Sequence, residues 1–266
     1  MGIIPETTTH GSDGTDHDDL SVADLVVVRG RATVLEIESL RIPHGYTALV
    51  GPNGSGKTTL LDVFAGLIEP RRGTVEFGMC APGERLPRLA YVLQSQPASE
   101  QLLVTAGEVV ALARSSQRGL FGRLTSDDRT MIDAAMERLD VAHLAHRHLA
   151  EMSGGQRQRV FIAQGLAQDA DVLLLDEPVA GLDLASMQTI REAIDDECAA
   201  GRTVVVATHD LEEAARADTV VMLNGRVVAS GPPADVLRAE NLREAYRGRV
   251  IEIADGVMTV DDDHHH

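Results

Sequence analysis

A glycine-rich loop between an apolar run and a helical pattern sets the fold class of this chain. Residues 51–59 read GPNGSGKTT, and 51–58 fit G-x-x-x-x-G-K-[ST], a loop whose backbone N–H groups face phosphate oxygens. The apolar run Tyr46–Val50 predicts a strand before the loop, and Thr58–Ala65 predicts a helix after it. A phosphate would lie at the N-terminus of this helix, where unpaired N–H groups and the helix dipole favour an anion. The residues expected to bind nucleotide are Gly51, Pro52, Asn53, Gly54, Ser55, Gly56, Lys57, Thr58 and Thr59.

A second apolar run ends in two adjacent carboxylates. Val172–Leu175 is unbroken aliphatic sequence, which is typical of a parallel strand covered on both faces. It delivers Asp176 and Glu177 to the carboxyl end of the sheet, where open α/β folds bind ligands. We expect Asp176, with the Thr58 hydroxyl, to hold Mg²⁺, and Glu177 to polarise the attacking water as general base. The Lys57 ammonium would reach the β- and γ-phosphates.

Three further motifs follow in a fixed order: YVLQ at 91–94, MSGGQRQR at 152–159 and ATHD at 207–210. With the two motifs above they resemble an ATP-binding-cassette (ABC) ATPase subunit, over about residues 21–240. The resemblance implies an α/β fold with a P-loop NTPase (RecA-like) core. It also implies a small antiparallel β subdomain and an inserted α-helical subdomain at about 96–160. ATP and Mg²⁺ are the cofactors that it implies.

The same resemblance assigns MSGGQRQR to the family signature, through Ser153, Gly154, Gly155 and Gln156. In the family this segment caps the γ-phosphate bound by the opposite subunit. Hydrolysis therefore needs two cassettes arranged head to tail, and we expect a homodimer when ATP is bound.

Other roles come from the resemblance residue by residue. Gln94 matches a loop glutamine that touches Mg²⁺ and relays motion to the membrane partner, and Gly181 and Asp183 match a loop that links the two sites of the dimer. His209 matches a histidine that contacts the γ-phosphate and serves catalysis together with Glu177 and Lys57.

One departure from the family concerns the base. The family commonly stacks adenine on an aromatic residue some two dozen positions before the phosphate loop, where this chain reads VVVRGRAT. The alignment places Arg29 at that position. A planar guanidinium can also stack on a base, so Arg29 is the predicted adenine contact.

Along the chain we expect an acidic tail at 1–20, one ABC ATPase domain at 21–247 and a C-terminal tail at 248–266. Within the domain the predicted elements are three strands, two helices and a region of short helices: Asp24–Val28, Val34–Ile42, Thr74–Phe77, Gly107–Arg114, Ser126–Leu139 and 232–247. Ser126 and the two aspartates after it predict the N-cap of the second helix.

Composition limits the partners. The net charge of −17 argues against nucleic acid, since such binding needs a basic face. No apolar run approaches the roughly 20 residues that span a bilayer, and the two cysteines fit a reducing cytosol. We therefore expect the chain to lie at the cytoplasmic face of the cell membrane, held peripherally by an integral-membrane permease.

The cargo rests on sequence texture. The segments RGLFGRLTSDDR at 118–129, GLAQDADVLLLDEP at 165–178 and ATHDLEEAARAD at 207–218 resemble subunits of zinc and manganese uptake systems. The histidines among terminal aspartates suit a divalent metal, although an acidic tail and the remains of an affinity tag are alternative interpretations. We expect import of a divalent metal, zinc ahead of manganese, with an extracytoplasmic solute-binding protein as an indirect partner. The alternatives are an ABC transporter ATPase for a non-metal cargo and a soluble ABC ATPase of the iron–sulfur assembly type.

Overall fold

The chain begins with strands and then alternates helices with strands. The computed structural model describes residues 20–78, 88–93, 103–118, 123–246, 250–253 and 257–260. The strands in these residues are β1 (Leu20–Arg29), β2 (Ala32–Ile42), β3 (Gly45–Val50), β4 (Arg72–Phe77), β5 (Leu89–Val92), β6 (Val172–Asp176), β7 (Thr203–Thr208), β8 (Thr219–Leu223), β9 (Val227–Gly231), β10 (Val250–Ile253) and β11 (Val257–Val260). The helices are α1 (Lys57–Phe64), α2 (Ala106–Arg118), α3 (Ser126–Arg138), α4 (Gly154–Ala167), α5 (Leu184–Ala199), α6 (Leu211–Ala214), α7 (Pro233–Val236) and α8 (Ala239–Ala245).

The central sheet has the strand order β5-β6-β7-β3-β8-β9, and its neighbours are parallel except for β8 and β9. Val50 pairs with Thr208 and Asp176 pairs with Ala207, so β3, β6 and β7 end at one edge of the sheet. The loops after these strands therefore meet there. This topology confirms the expected P-loop NTPase core.

Alternate residues of the central strands enter two different cores. Leu173 and Leu175 of β6 pack into the core that contains residues of α2, α3, α4 and α5, whereas Val172 and Leu174 pack into the core that contains α1, β1 and β2. Because β6 is buried on both faces, an unbroken aliphatic run is the pattern that its position requires.

The first strands form a separate antiparallel sheet in the order β2-β1-β4, which covers α1. The structure thus contains the predicted antiparallel subdomain, with longer strands than expected. In β2 the side chains of Leu35 and Ile37 are buried and those of Glu36 and Glu38 are exposed, the alternation expected of a half-buried strand. β1 begins at Leu20, the last residue of the predicted N-terminal tail.

Helices α2, α3 and α4 pack against one another beside the parallel sheet. The predicted N-cap of α3 at Ser126 is wrong by one residue. The Thr125 hydroxyl accepts a hydrogen bond from the Asp128 N–H, and the Asp128 carboxylate accepts one from the Thr125 N–H. Asp128 can close this capping box because it lies three residues after Thr125, and it also pairs with Arg114 at 3.0 Å.

The region 232–247 contains the two short helices α7 and α8, as expected. Beyond it, β10 and β11 pair as an antiparallel hairpin within the predicted C-terminal tail. Among the helices of the described residues, none combines the length and the apolar character needed to cross a membrane.

Candidate active site

The glycine-rich loop joins β3 to α1, and two of its glycines are required by space. A Cβ on Gly51, where φ is 152°, would lie 2.1 Å from the Leu223 carbonyl oxygen. A Cβ on Gly56, where φ is 104°, would lie 2.9 Å from Leu35 Cδ1. Since Gly56 is the N-cap of α1 and offers no side chain, an anion at this helix end meets backbone N–H groups rather than a capping group.

Lys57 is buried at the same loop. Its ammonium donates hydrogen bonds to the carbonyl oxygens of Gly51 at 2.7 Å and Pro52 at 3.3 Å. Lys57 is also the only lysine in the sequence. The loop thus holds one cation inside its own turn, within reach of any phosphate that the loop binds.

Thr58 of α1 and Asp176 at the end of β6 are in direct contact. The Thr58 hydroxyl donates to Asp176 Oδ2 at 2.9 Å. Burial raises the pKa of the Asp176 carboxyl above its ordinary value, and the charge of Glu177 adds to the rise, while the Thr58 hydroxyl and the Lys57 charge oppose it. A hydroxyl and a carboxylate are the hard oxygen ligands that Mg²⁺ takes from a protein when phosphates and water complete its shell, so these donors fit the ion. The third predicted ligand, Gln94, lies outside the described residues.

Glu177, the residue after Asp176, forms a hydrogen-bonded pair with His209. His209 Nδ1 lies 2.8 Å from Glu177 Oε2, and the Glu177 side chain is mostly buried while that of His209 is more exposed. The pair forms because Glu177 follows β6 and His209 follows the neighbouring strand β7. Glu177 has φ of 51°, a conformation that side-chain-bearing residues seldom adopt and that its N–H bond to the Ala207 carbonyl helps to hold. A carboxylate oriented by an imidazole can act as a general base.

These groups share one cavity of about 450 Å³. Its lining residues are Arg29, Val34, Asn53, Gly54, Ser55, Gly56, Lys57, Thr58, Thr59, Asp176, Glu177 and His209. Of the loop residues predicted to bind nucleotide, Gly51 and Pro52 do not line the cavity and instead supply carbonyl oxygens to Lys57. Val34 was not predicted, because an aliphatic residue at the start of a strand carries no sequence signal for a site.

Arg29, the last residue of β1, lines the same cavity. Its guanidinium Nη2 donates to Asp62 Oδ2 at 2.8 Å, and the Tyr91 hydroxyl donates to Asp62 Oδ1 at 3.3 Å. Burial, with the charges of Asp176 and Asp62, raises the pKa of the Tyr91 phenol, which therefore stays protonated. Sequence reasoning missed Asp62 and Tyr91, although Asp62 follows Thr58 by one helical turn and so shares its face of α1.

The signature residues lie elsewhere. Ser153 is the N-cap of α4, where its hydroxyl accepts from the Gln156 N–H and its own N–H donates to Gln156 Oε1. Ser153 and Gly154 are exposed at this helix end, and they do not line the cavity. One chain thus presents the phosphate loop and the signature at separate places.

The signature touches the loop that contains Asp183. A Cβ on Gly155 would lie 2.7 Å from Ser186 Oγ and 3.2 Å from Asp183 Oδ2. Asp183 caps α5 by accepting from the Ser186 N–H, and hydrogen bonds from Ser186 lower the pKa of the Asp183 carboxyl. Gly181, with φ of 68°, has open space at its Cβ position. Motifs that are some thirty residues apart in sequence therefore form one surface.

Sequence comparisons agree with this arrangement. A family model described as "ABC transporter" matches residues 36–180. The chain is 33% identical over 237 residues to the manganese transport system ATP-binding protein MntB of Bacillus subtilis, covering 88% of this chain and 95% of that one. It is 36% identical over 234 residues to the zinc transport system ATP-binding protein TroB of Treponema pallidum, covering 87% and 88%. A cobalamin import ATP-binding protein, BtuD of Halobacterium salinarum, is 38% identical over 258 residues, which cover 91% of this chain and 63% of that one.

Among solved structures, a metal-chelate type ABC transporter in an inward-facing conformation superposes with a TM-score of 0.75 at 26% identity. The match covers 91% of this chain and 95% of that one. The likeness therefore extends through both sheets and the helices between them, beyond the segment that the family model matches.

Proposed function

Because this chain belongs to the family of ABC transporter ATP-binding proteins, which are ATPases, we propose that ATP hydrolysis in its cavity powers the import of a divalent metal through a separate membrane permease. One observation carries the proposal for the site. The Thr58–Asp176 pair and the Glu177–His209 pair lie at the carboxyl ends of adjacent strands and line the same cavity as the phosphate loop. The groups that we propose to bind phosphate, hold the metal ion and activate water thus line one cavity.

The residues divide the work of phosphoryl transfer. The loop N–H groups and Lys57 would hold the phosphates and stabilise the charge that develops on them. Glu177 would accept a proton from the attacking water, while His209, hydrogen-bonded to Glu177, would orient its carboxylate and contact the γ-phosphate. Mg²⁺, held by Thr58 and Asp176, would supply positive charge against the phosphate oxygens.

We further propose that two copies of the chain act together. The N-terminus of α4 is exposed at Ser153 and Gly154 and lies outside the cavity, so in this chain it has no phosphate of its own to bind. A second copy placed head to tail would bring that helix N-terminus, which favours anions, onto the γ-phosphate. Gly181 and Asp183 would lie at the junction, since Asp183 and Gly155 are neighbours.

The proposed cargo is zinc ahead of manganese. Two relatives of similar identity are named for manganese and zinc transport, and this supports a divalent metal without separating the two. The order of the two metals rests on the texture of segments 118–129, 165–178 and 207–218 and on the terminal histidines. The permease would hold the chain at the cytoplasmic face of the membrane, and an extracytoplasmic solute-binding protein would deliver the metal to that permease.

A non-metal cargo is the second candidate, and the 38% identity to a cobalamin import protein favours it. A third candidate, a soluble ABC ATPase of iron–sulfur assembly, predicts capture of a soluble scaffold by the tagged chain. The transporter proposal predicts capture of an integral-membrane permease from detergent extracts.

The deciding experiment measures uptake of radiolabelled zinc and manganese in cells that lack the gene. The cells receive the wild type, Glu177→Gln, or the control Glu192→Gln, which alters an exposed carboxylate of α5. Restoration by the wild type and the control, and not by Glu177→Gln, is the expected result, and the preferred metal then follows from the two rates. Uptake of both metals that does not depend on the gene would refute the cargo, and labelled cobalamin would then be tested in the same cells.

A further inference from the structure

Asp62 is fixed at the end of the cavity where Arg29 lies, and the chemistry described above does not use it. Its Oδ2 accepts from Arg29 Nη2 at 2.8 Å, and its Oδ1 accepts from the Tyr91 hydroxyl at 3.3 Å. Both carboxylate oxygens are thus engaged by donors from two different strands, β1 and β5. The Asp62 side chain is 14% exposed and that of Arg29 is 52% exposed, so the carboxylate is the fixed partner and the guanidinium faces outward from it.

The position of Arg29 determines which part of a nucleotide it meets. The phosphate loop, the two carboxylates and His209 line the cavity and would bind the triphosphate. Arg29 comes from β1 and pairs with Asp62, which follows Thr58 by one turn of α1, so the guanidinium is anchored beyond the helix N-terminus that would bind phosphate. The nucleoside part, which extends from the α-phosphate, is therefore left to the surface that Arg29 provides.

Charge would work against this placement if Arg29 had no anionic partner. Lys57 is already the cation of the phosphate loop, and a guanidinium binds phosphate strongly with two parallel hydrogen bonds. An arginine released at the cavity edge would be drawn to the triphosphate and would leave the nucleoside surface. A carboxylate at 2.8 Å occupies one edge of the guanidinium and offsets its charge, while its planar face remains available to stack on a base.

We propose that Asp62 is a positioning residue for nucleotide selectivity: it keeps Arg29 against the nucleoside of a nucleoside triphosphate and away from its phosphates. The inference rests on the proposed binding of ATP in this cavity. It concerns how the chain distinguishes a nucleotide from inorganic polyphosphate, both of which present the same phosphate chemistry to the loop.

The test compares equilibrium dissociation constants for ATP and for inorganic tripolyphosphate on the full chain. The wild type is expected to prefer ATP, and Asp62→Asn, which keeps the shape and removes the charge, should lower this preference about two- to fivefold, the range of an exposed cation–π contact. The change should come from tighter binding of tripolyphosphate as well as weaker binding of ATP, because the released guanidinium can then bind phosphate. A merely structural loss would weaken both ligands together.

Four further proteins make the result decisive. In Arg29→Ala the preference should also fall, through weaker ATP binding alone, and adding Asp62→Asn to it should change nothing more, because Asp62 acts through Arg29. Arg29→Lys keeps the charge without the planar face and should behave as Arg29→Ala does, a comparison that holds even if Asp62→Asn folds poorly. Asp195→Asn, which breaks the exposed Arg216–Asp195 pair, should leave the preference at the wild-type value.

An unchanged preference in Asp62→Asn, an equal further loss in the Arg29→Ala background, or full preference in Arg29→Lys would each overturn the inference while ATP binding stood. A wild-type chain that binds neither ligand would overturn the proposed function itself. The two failures are therefore distinguishable in one set of titrations.

Discussion

Different parts of the fold supply the cavity residues proposed to bind the phosphates and those proposed to meet the nucleoside. The phosphate end consists of a backbone loop and side chains that follow β3, β6 and β7, whose buried parallel strands fix where each chain segment emerges. The part proposed to meet the nucleoside is Arg29, which comes from the antiparallel sheet and whose guanidinium donates to the side chain of Asp62. The proposed catalytic groups are thus positioned by the parallel strands. The proposed preference for a nucleotide depends instead on a pair of side chains that a single substitution can change.

The largest effect is expected at the phosphate end, from Glu177→Gln. Glutamine keeps the shape of the side chain but cannot accept the proton from water, and general-base catalysis is worth about 10²–10⁴ in rate. ATP turnover should fall at least about a hundredfold, while ATP binding is kept and ATP-bound dimers accumulate. Steady-state phosphate release and light scattering with ATP measure the two effects.

Glu192→Gln is the matched control for that substitution, since it makes the same change on the exposed face of α5. Its turnover should equal that of the wild type. Near-normal turnover in Glu177→Gln would show that the base is another group, and the Glu177–His209 pair would then be structural.

The next effect concerns phosphate binding alone. Lys57→Ala removes a charge-assisted contact worth about 1.5–3 kcal/mol, so ATP affinity should fall about ten- to a hundredfold. Tripolyphosphate affinity should fall by the same factor, because Lys57 serves the phosphate end. The control is Arg216→Ala, which removes a surface cation that pairs with Asp195. A loss of affinity for ATP alone, with tripolyphosphate binding unchanged, would contradict the assignment of Lys57 to the phosphates.

The same contrast explains which site residues the sequence predicted and which it did not. The phosphate loop, Asp176, Glu177 and His209 follow apolar runs, and an apolar run of strand length predicts both a strand and the edge at which it ends. Asp62 and Tyr91 have no such marker: an aspartate within a helix and a tyrosine within a strand acquire a role only when tertiary packing brings them to Arg29. The N-cap at Thr125 was misplaced for a related reason, since Thr125 and Ser126 are both good caps and only Asp128 decides between them.

A third prediction uses the stability of the nucleotide-free protein. The pKa of the Asp176 carboxyl is raised in the folded state, so ionising this carboxyl destabilises the fold. Its contribution to the free energy of unfolding is complete below the pKa of the unfolded chain and is lost as pH rises through the folded pKa. Asp176→Asn removes this charge and keeps an acceptor for the Thr58 hydroxyl. At neutral pH the variant should therefore melt at a higher temperature than the wild type, with a gap that closes as pH falls into the acid range.

With Mg²⁺ and ATP present the order should reverse. The wild type gains stability from its ligand, whereas Asp176→Asn lacks the carboxylate that fits Mg²⁺ and should gain little. Thermal melts with and without Mg·ATP measure both effects. A variant that melts lower than the wild type without ligand would show that the carboxylate stabilises the empty site.

The smallest effect is expected from Tyr91→Phe, at the nucleoside end. The phenol stays protonated and donates to Asp62 at 3.3 Å, a long hydrogen bond that lies two contacts away from any nucleotide. Phenylalanine keeps the packing of the ring and leaves the Arg29–Asp62 pair in place. The preference for ATP over tripolyphosphate should therefore fall less than about twofold, because the lost hydrogen bond to the Asp62 carboxylate is long and acts on the nucleotide only through Arg29. If the preference falls as far as in Asp62→Asn, then the orientation of Asp62 matters as much as its charge. The nucleoside end would in that case depend on β5 as closely as the phosphate end depends on β6 and β7.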